Sequence, residues 1–177
     1  MKRNLAALFG ALLCALIPID AAAANGSDKS PVYAVADIQP FPGQTATGTA
    51  TFVQDRTGKV HVVVRAKGLT NPLHGIHIHT VGDCSSPTAP GDHFDPVGGR
   101  PHGYPQSKAS HAGDMLNLRV GQNGVGTMAM EKGDITLSPG KNSVMGRAVI
   151  IHAGEDKFTP EAMGGDRIAC GVITPVK

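Results

Sequence analysis

Six of the eight histidines stand in an order and spacing that could hold two metal ions sharing one ligand. His77 and His79 form a His-x-His pair in Gly75-Ile76-His77-Ile78-His79, His93, His102 and His111 follow, and His152 stands near the end. Asp114 comes three residues after His111 and adds a carboxylate. In an extended strand, residues two apart project from one face, roughly 6.5–7 Å apart along the chain, so His77 and His79 can approach one ion from the same side. His152 closes the apolar run Val149-Ile150-Ile151 and offers a nitrogen from another strand. Three imidazoles and a carboxylate complete a tetrahedral shell that suits zinc in a closed site. Nitrogens in a tetragonal arrangement suit copper, which can cycle between two oxidation states. Spacing alone leaves open which histidine serves which ion. His61, on the outer face of a valine-rich strand, reads as a solvated surface residue, and His74 as a structural one at the start of its strand.

These side chains need a scaffold, and the chain supplies one of strands. Short alternating or β-branched runs recur at 33–39, 48–54, 60–67, 75–80, 116–120, 124–130, 144–152 and 168–174, parted by Gly, Pro, Asn and Asp. In the third run Val60, Val62 and Val64 face one way while His61, Val63 and Arg65 face the other. Asp55-Arg56-Thr57-Gly58 and Gln122-Asn123-Gly124 read as hairpin turns. No helical period persists, and 23 glycines with 13 prolines point to an all-β sandwich or barrel. Two loops break the regular spacing: 81–114, which holds most of the candidate ligands, and 153–167, rich in Gly and charge. A metal is a direct way to order loops of this length that lack a core of their own.

The start of the chain reads as an address. Lys2 and Arg3 precede an apolar run from Leu5 to Ile19, and Ala21 to Ala24 supply a cleavage site, so residues 1–24 are expected to be a secretory signal peptide and 25–177 one domain. The run is short for a membrane span, no second one follows, and Leu13 before Cys14 is too large for lipoprotein-type cleavage, so no membrane anchor is expected. Two cysteines then remain, Cys84 and Cys170, which in an oxidising compartment read as one disulfide. Sixteen basic and fourteen acidic residues nearly balance, no basic run exists, and five Phe, two Tyr and no Trp provide no stacking platform, which argues against nucleic acid as a partner.

The strings Leu73-His74-Gly75-Ile76-His77-Ile78-His79, His93-Phe94-Asp95-Pro96, His111-Ala112-Gly113-Asp114, Val149-Ile150-Ile151-His152-Ala153 and Arg167-Ile168-Ala169-Cys170-Gly171-Val172-Ile173 together resemble the copper/zinc superoxide dismutase family over essentially the whole mature chain. The resemblance implies an eight-stranded Greek-key β-barrel. It implies copper on His77, His79, His93 and His152, and zinc on His93, His102, His111 and Asp114, one ion of each kind per subunit, with His93 bridging them as an imidazolate. It matches Cys84 and Cys170 to an intrasubunit disulfide, and Asp156 to an aspartate linking a copper histidine to a zinc histidine. Arg167 matches the arginine beside copper that guides the anion; with His93 as proton carrier it makes up the catalytic pair. The activity implied is conversion of two superoxide ions to dioxygen and hydrogen peroxide, an antioxidant defence outside the cytoplasm.

Departures from the familiar eukaryotic pattern resemble the bacterial periplasmic branch of the family. Four residues separate His79 from Cys84, nine steps run from His93 to His102, and 153–166 lacks the usual run of charges. The expected product is therefore periplasmic, with a homodimer as its candidate assembly. Two rival classes are a copper or zinc carrier and a zinc hydrolase. Carriers of this fold lose copper ligands or the arginine, and Cu(I) carriers use Met-rich or Cys-x-Cys stretches, which are absent from this sequence. A hydrolase needs a carboxylate base, and no Glu lies close in sequence to His77 or His79.

Overall fold

A computed structural model describes residues 30–176. The expected leader, residues 1–24, with Cys14, lies outside the described residues. Ten strand segments make up the scaffold: β1 Val32–Pro40, β2 Thr47–Gln54, β3 Val60–Lys67, β4 Leu73–His74, β5 Ile76–His79, β6 Leu118–Val120, β7 Gly126–Lys132, β8 Ala148–His152, β9 Arg167–Val172 and β10 Thr174–Pro175. All pairings between them are antiparallel, and no helix occurs among the described residues.

The hydrogen-bonded path runs β4-β6-β7-β3-β2-β1-β9-β8-β5, so its two ends are the consecutive segments β4 and β5. Gly75 alone parts them, and its amide and carbonyl bond Gly154 O and His152 N. The sheet thus almost closes on itself, and counting 73–79 once gives the expected eight-stranded barrel, with β10 as a short addition on β1. The connections from β3 to β4 and from β7 to β8 each pass over intervening strands, which is the Greek-key element.

Alternation builds the interior as read. β3 shows strict in–out burial, and Val60, Val62 and Val64 join Ala34, Ile38, Phe52, Ile76, Ile78, Leu118 and Ile151 in one buried core. Burying each large aliphatic or aromatic side chain contributes roughly 1.5–3 kcal/mol. Both expected hairpin turns form, with Gly58 at φ +91° and Gly124 at φ +71°. The largest boundary difference is in the run 144–152, where the strand begins only at Ala148, because Gly146 turns at φ +74° and hands its amide to Ile173 O.

β5 and β8 are buried on both faces. Ile76, Ile78, Val149 and Ile151 point into the barrel, so His77, His79, Ala148, Ile150 and His152 lie on its outer face, covered by the 80–117 and 153–166 connections. Phe41, Ala148, Ile150 and Cys170 form a second small core there, with Cys84 packed against it.

Cys84 and Cys170 are bonded, closing a loop of sequence separation 86 and tying the ligand-bearing connection to β9. Chain-entropy arguments give such a closure roughly 4–5 kcal/mol. Reduction is therefore expected to lower the melting temperature of the metal-free protein by on the order of 10 °C. An unshifted melting point by calorimetry would remove the bond from the stability account.

Candidate metal centre

A ring of three backbone hydrogen bonds brings the ligand segments together. Ile78 N donates to Gly113 O at 2.9 Å, Gly113 N to Phe94 O at 2.8 Å, and Phe94 N to Ile78 O at 2.8 Å. Each of these residues adjoins candidate ligands: Ile78 lies between His77 and His79, Phe94 follows His93, and Gly113 precedes Asp114. The approach requires glycine, since a Cβ on Gly113 would stand 2.2 Å from Ile78 O and 2.8 Å from Phe94 N. His74 performs the structural task expected of it: its Nδ1–H donates to His152 O at 2.7 Å, while its Nε2 accepts from Asn71 N at 3.2 Å.

Two clusters of donor atoms result, each with all members within 4.8 Å of one another. One comprises His77, His79, His93 and His152; the other His77, His93, His102 and Asp114. His93 lies between them, its ring centroid 4.1 Å from His77, 4.7 Å from His79, 5.1 Å from His102 and 5.4 Å from His111. Sequence reading places His77 with one ion only, whereas geometry admits it to both groups. Its Nε2–H is committed to Asp156 Oδ2 at 2.7 Å, which leaves Nδ1 as its free donor. His111 falls outside the second group, yet its Nδ1 is 3.4 Å from Asp114 Oδ1.

The hydrogen bonds set the tautomers. His79 Nδ1–H donates to Gly91 O at 2.9 Å and His152 Nδ1–H to Gly165 O at 2.8 Å, so each ring keeps a lone pair on Nε2. Those two Nε2 atoms, His77 Nδ1 and His111 Nδ1 are buried and without hydrogen-bond partners; among the described residues the fifth such atom is Asn142 Oδ1. Buried polar atoms are rarely left unpaired, and those of His77, His79 and His152 converge with His93 in the first group, an arrangement a metal ion would satisfy. His93 Nδ1 and His102 Nδ1 each approach Asp114 Oδ1 at 2.9 Å, and Gly103 N donates to Asp114 Oδ2 at 3.0 Å. Three imidazole Nδ1 atoms aimed at one carboxylate, with His111 the third, match the donor set of a tetrahedral zinc site.

Asp156 joins the two halves. Fully buried, it accepts His77 Nε2–H at Oδ2 and His102 Nε2–H at Oδ1, the latter at 2.9 Å. Asn117 fixes its backbone, donating to Asp156 O at 2.8 Å and accepting Asp156 N–H at 2.9 Å. Arg167 Nη1 and Nη2 donate to Pro87 O and Gly91 O, both at 2.8 Å, so Arg167 and His79 share the Gly91 carbonyl. The guanidinium lines a cavity of about 540 Å³ with His93, His152, Asp92, Glu161 and Met163. Asn117 and the Gly91 carbonyl were not legible in the sequence: a lone Asn has no distinctive spacing, and a carbonyl acceptor is available from any residue. His61 is exposed as expected, though it bonds Asp55 Oδ2 at 2.9 Å.

Burial strips water from the rings and disfavours their charged forms, holding His77 well below the ordinary value, His79 at about 2 and His152 at about 4. Burial acts the same way on His102, but the Asp114 and Asp156 carboxylates outweigh it and raise that ring to about 9. Below about 6.5 the unfolded chain binds protons that the folded His77, His79 and His152 refuse, so stability falls with acid. Between about 6.5 and about 9 the folded His102 holds a proton the unfolded ring lacks, so its contribution is lost as pH rises. From these groups, the metal-free protein is expected to be most stable near pH 6.5. Zinc binding at pH 7.5 is expected to release about one proton from His102 and remove the alkaline decline. Melting curves against pH, with and without zinc, together with a proton-release titration, check both signs.

The family model described as copper/zinc superoxide dismutase (SODC) matches residues 46–173. Among curated relatives, superoxide dismutase [Cu-Zn] 2 of Mesembryanthemum crystallinum is 40% identical over 137 residues, covering 71% of this chain and 85% of the relative. Superoxide dismutase [Cu-Zn] 3 of Arabidopsis thaliana is 39% identical over 137 residues, covering 71% and 81% respectively. Among solved structures, the crystal structure of the clock protein EA4 superposes with a TM-score of 0.73 at 33% identity, covering 84% of this chain and 97% of that one.

Proposed function

Because this chain belongs to the copper/zinc superoxide dismutase family, dismutating superoxide with copper and zinc, we propose that His93 is the ligand its two ions share. In this reading His77 Nδ1, His79 Nε2, His152 Nε2 and the outer nitrogen of His93 would hold copper. His93 Nδ1, His102 Nδ1, His111 Nδ1 and Asp114 would hold zinc. The observation that carries the assignment is that His93 belongs to both donor groups, with the buried, unpartnered nitrogens of His77, His79 and His152 in one and the Asp114 carboxylate in the other.

When bound, copper supplies a reversible one-electron couple and zinc a fixed positive charge without redox chemistry. The protein's own groups do the rest. Gly91 O and Gly165 O orient His79 and His152 with their lone pairs inward. Asp156 ties His77 to His102, so the two halves keep their spacing. Arg167, anchored on two carbonyls, presents positive charge at the mouth to draw and hold the superoxide anion. His93 Nε2, whenever copper does not occupy its lone pair, is the atom at which a proton could be held and passed to the product, so that two superoxide ions and two protons become dioxygen and hydrogen peroxide.

We also propose that the protein acts in a bacterial periplasm as an antioxidant defence. The signal-like residues 1–24 support export, and the Cys84–Cys170 disulfide suits an oxidising compartment. Metal analysis of the mature chain, paired with a superoxide-consumption assay, is expected to find one copper and one zinc per chain and turnover that needs copper. Spectroscopically independent ions with no turnover would overturn the shared-ligand reading.

A further inference from the structure

Lys132 ends β7 on a position that alternation turns inward, beyond Gly126, Met128 and Met130. Its side chain is 1% exposed. A lysine so placed gives up both hydration and rotamer freedom, and needs a partner to be kept there. Nζ donates to the backbone carbonyl of Asp114 at 3.0 Å and lies 3.3 Å from Asp134 Oδ1. Asp114 is the hub of the zinc-side ligands, and its backbone is held at three points: the Gly113 peptide in the three-bond ring, its own amide on His111 O at 3.3 Å, and its carbonyl on the Lys132 ammonium.

We propose that Lys132 is a positioning residue for the zinc site, clamping the His111–Asp114 turn so that the Asp114 carboxylate faces His93, His102 and His111 before any ion arrives. This rests on the reading of those four residues as zinc ligands. The clamp and the charge of Lys132 act with opposite sign. A cation near a divalent ion's ligand weakens binding by repulsion, whereas fixing the ligand strengthens it by removing an ordering cost. Loss of the side chain also leaves the buried Asp114 carbonyl without its donor. The clamp is the larger effect in this proposal.

In the full mature chain with its disulfide formed, Lys132→Met is expected to weaken zinc binding by roughly 10–100-fold in a chelator competition. It should also alter the visible spectrum of Co(II) bound in the zinc site, which reports ligand geometry independently of stability. Lys132→Gln keeps a donor without the charge and should fall between wild type and Lys132→Met; if Lys132→Met does not fold, it becomes the deciding variant. Zinc bound as tightly or more tightly in the variant, or an unchanged Co(II) spectrum with only a lowered melting point, overturns the proposal. Failure of the wild-type chain itself to bind zinc would instead overturn the zinc-site reading.

Discussion

Replacing His79 with Ala is expected to bring superoxide dismutation to background while one zinc ion stays bound to each chain. The substitution removes one of the buried nitrogens on the proposed copper side and opens that side of the cluster, but it replaces none of His93, His102, His111 or Asp114. It also frees the Gly91 carbonyl from one of its two donors and leaves Arg167 Nη2 as the other. Metal content by elemental analysis and rate by superoxide consumption separate the outcomes. Full activity would contradict the copper assignment; loss of zinc along with copper would mean the two clusters cannot be filled separately.

The second large effect concerns the mouth. Arg167→Glu is expected to lower the superoxide rate at low ionic strength by roughly 10–1,000-fold, the range over which charge focusing acts on association. In wild type the rate should fall as salt is added, because screening weakens the pull of Arg167; in the variant that slope should flatten or invert. Asp92 and Glu161 already line the same cavity, so Arg167 offsets their negative charge as well as attracting the substrate. Arg167→Lys keeps the charge but loses the two-pronged grip on Pro87 O and Gly91 O, and should fall between them. An unchanged rate at low salt in Arg167→Glu would remove its steering role.

The barrel was largely legible because its strands announce themselves by alternation: β3 reads residue for residue as it is buried. The ligand strands were legible for a different reason, since His77 and His79 interrupt an apolar run that otherwise faces the core. The short strand β4 at Leu73–His74, which precedes the expected run 75–80 and pairs with β6 while β5 pairs with β8, could not be read, because sequence carries no record of which partner a strand bonds. The same holds for His77 lying within reach of both clusters, a consequence of its ring resting 4.1 Å from His93. Lys132 resisted reading because a single lysine at the end of a strand ordinarily faces water, and its partner, the carbonyl of Asp114, lies eighteen residues away.

The ring joining Ile78, Phe94 and Gly113 makes the metal-bearing segments behave as a three-legged stool. Each leg meets the others at one peptide, and between those points the chain carries ligands in some stretches and only solvent-facing bends in others. The bend at Val97-Gly98-Gly99 is exposed, both glycines take positive φ, and no atoms crowd them. A foreign peptide spliced there would extend into solvent without displacing a ligand, which makes this bend a natural graft point for tags or sensors on the enzyme.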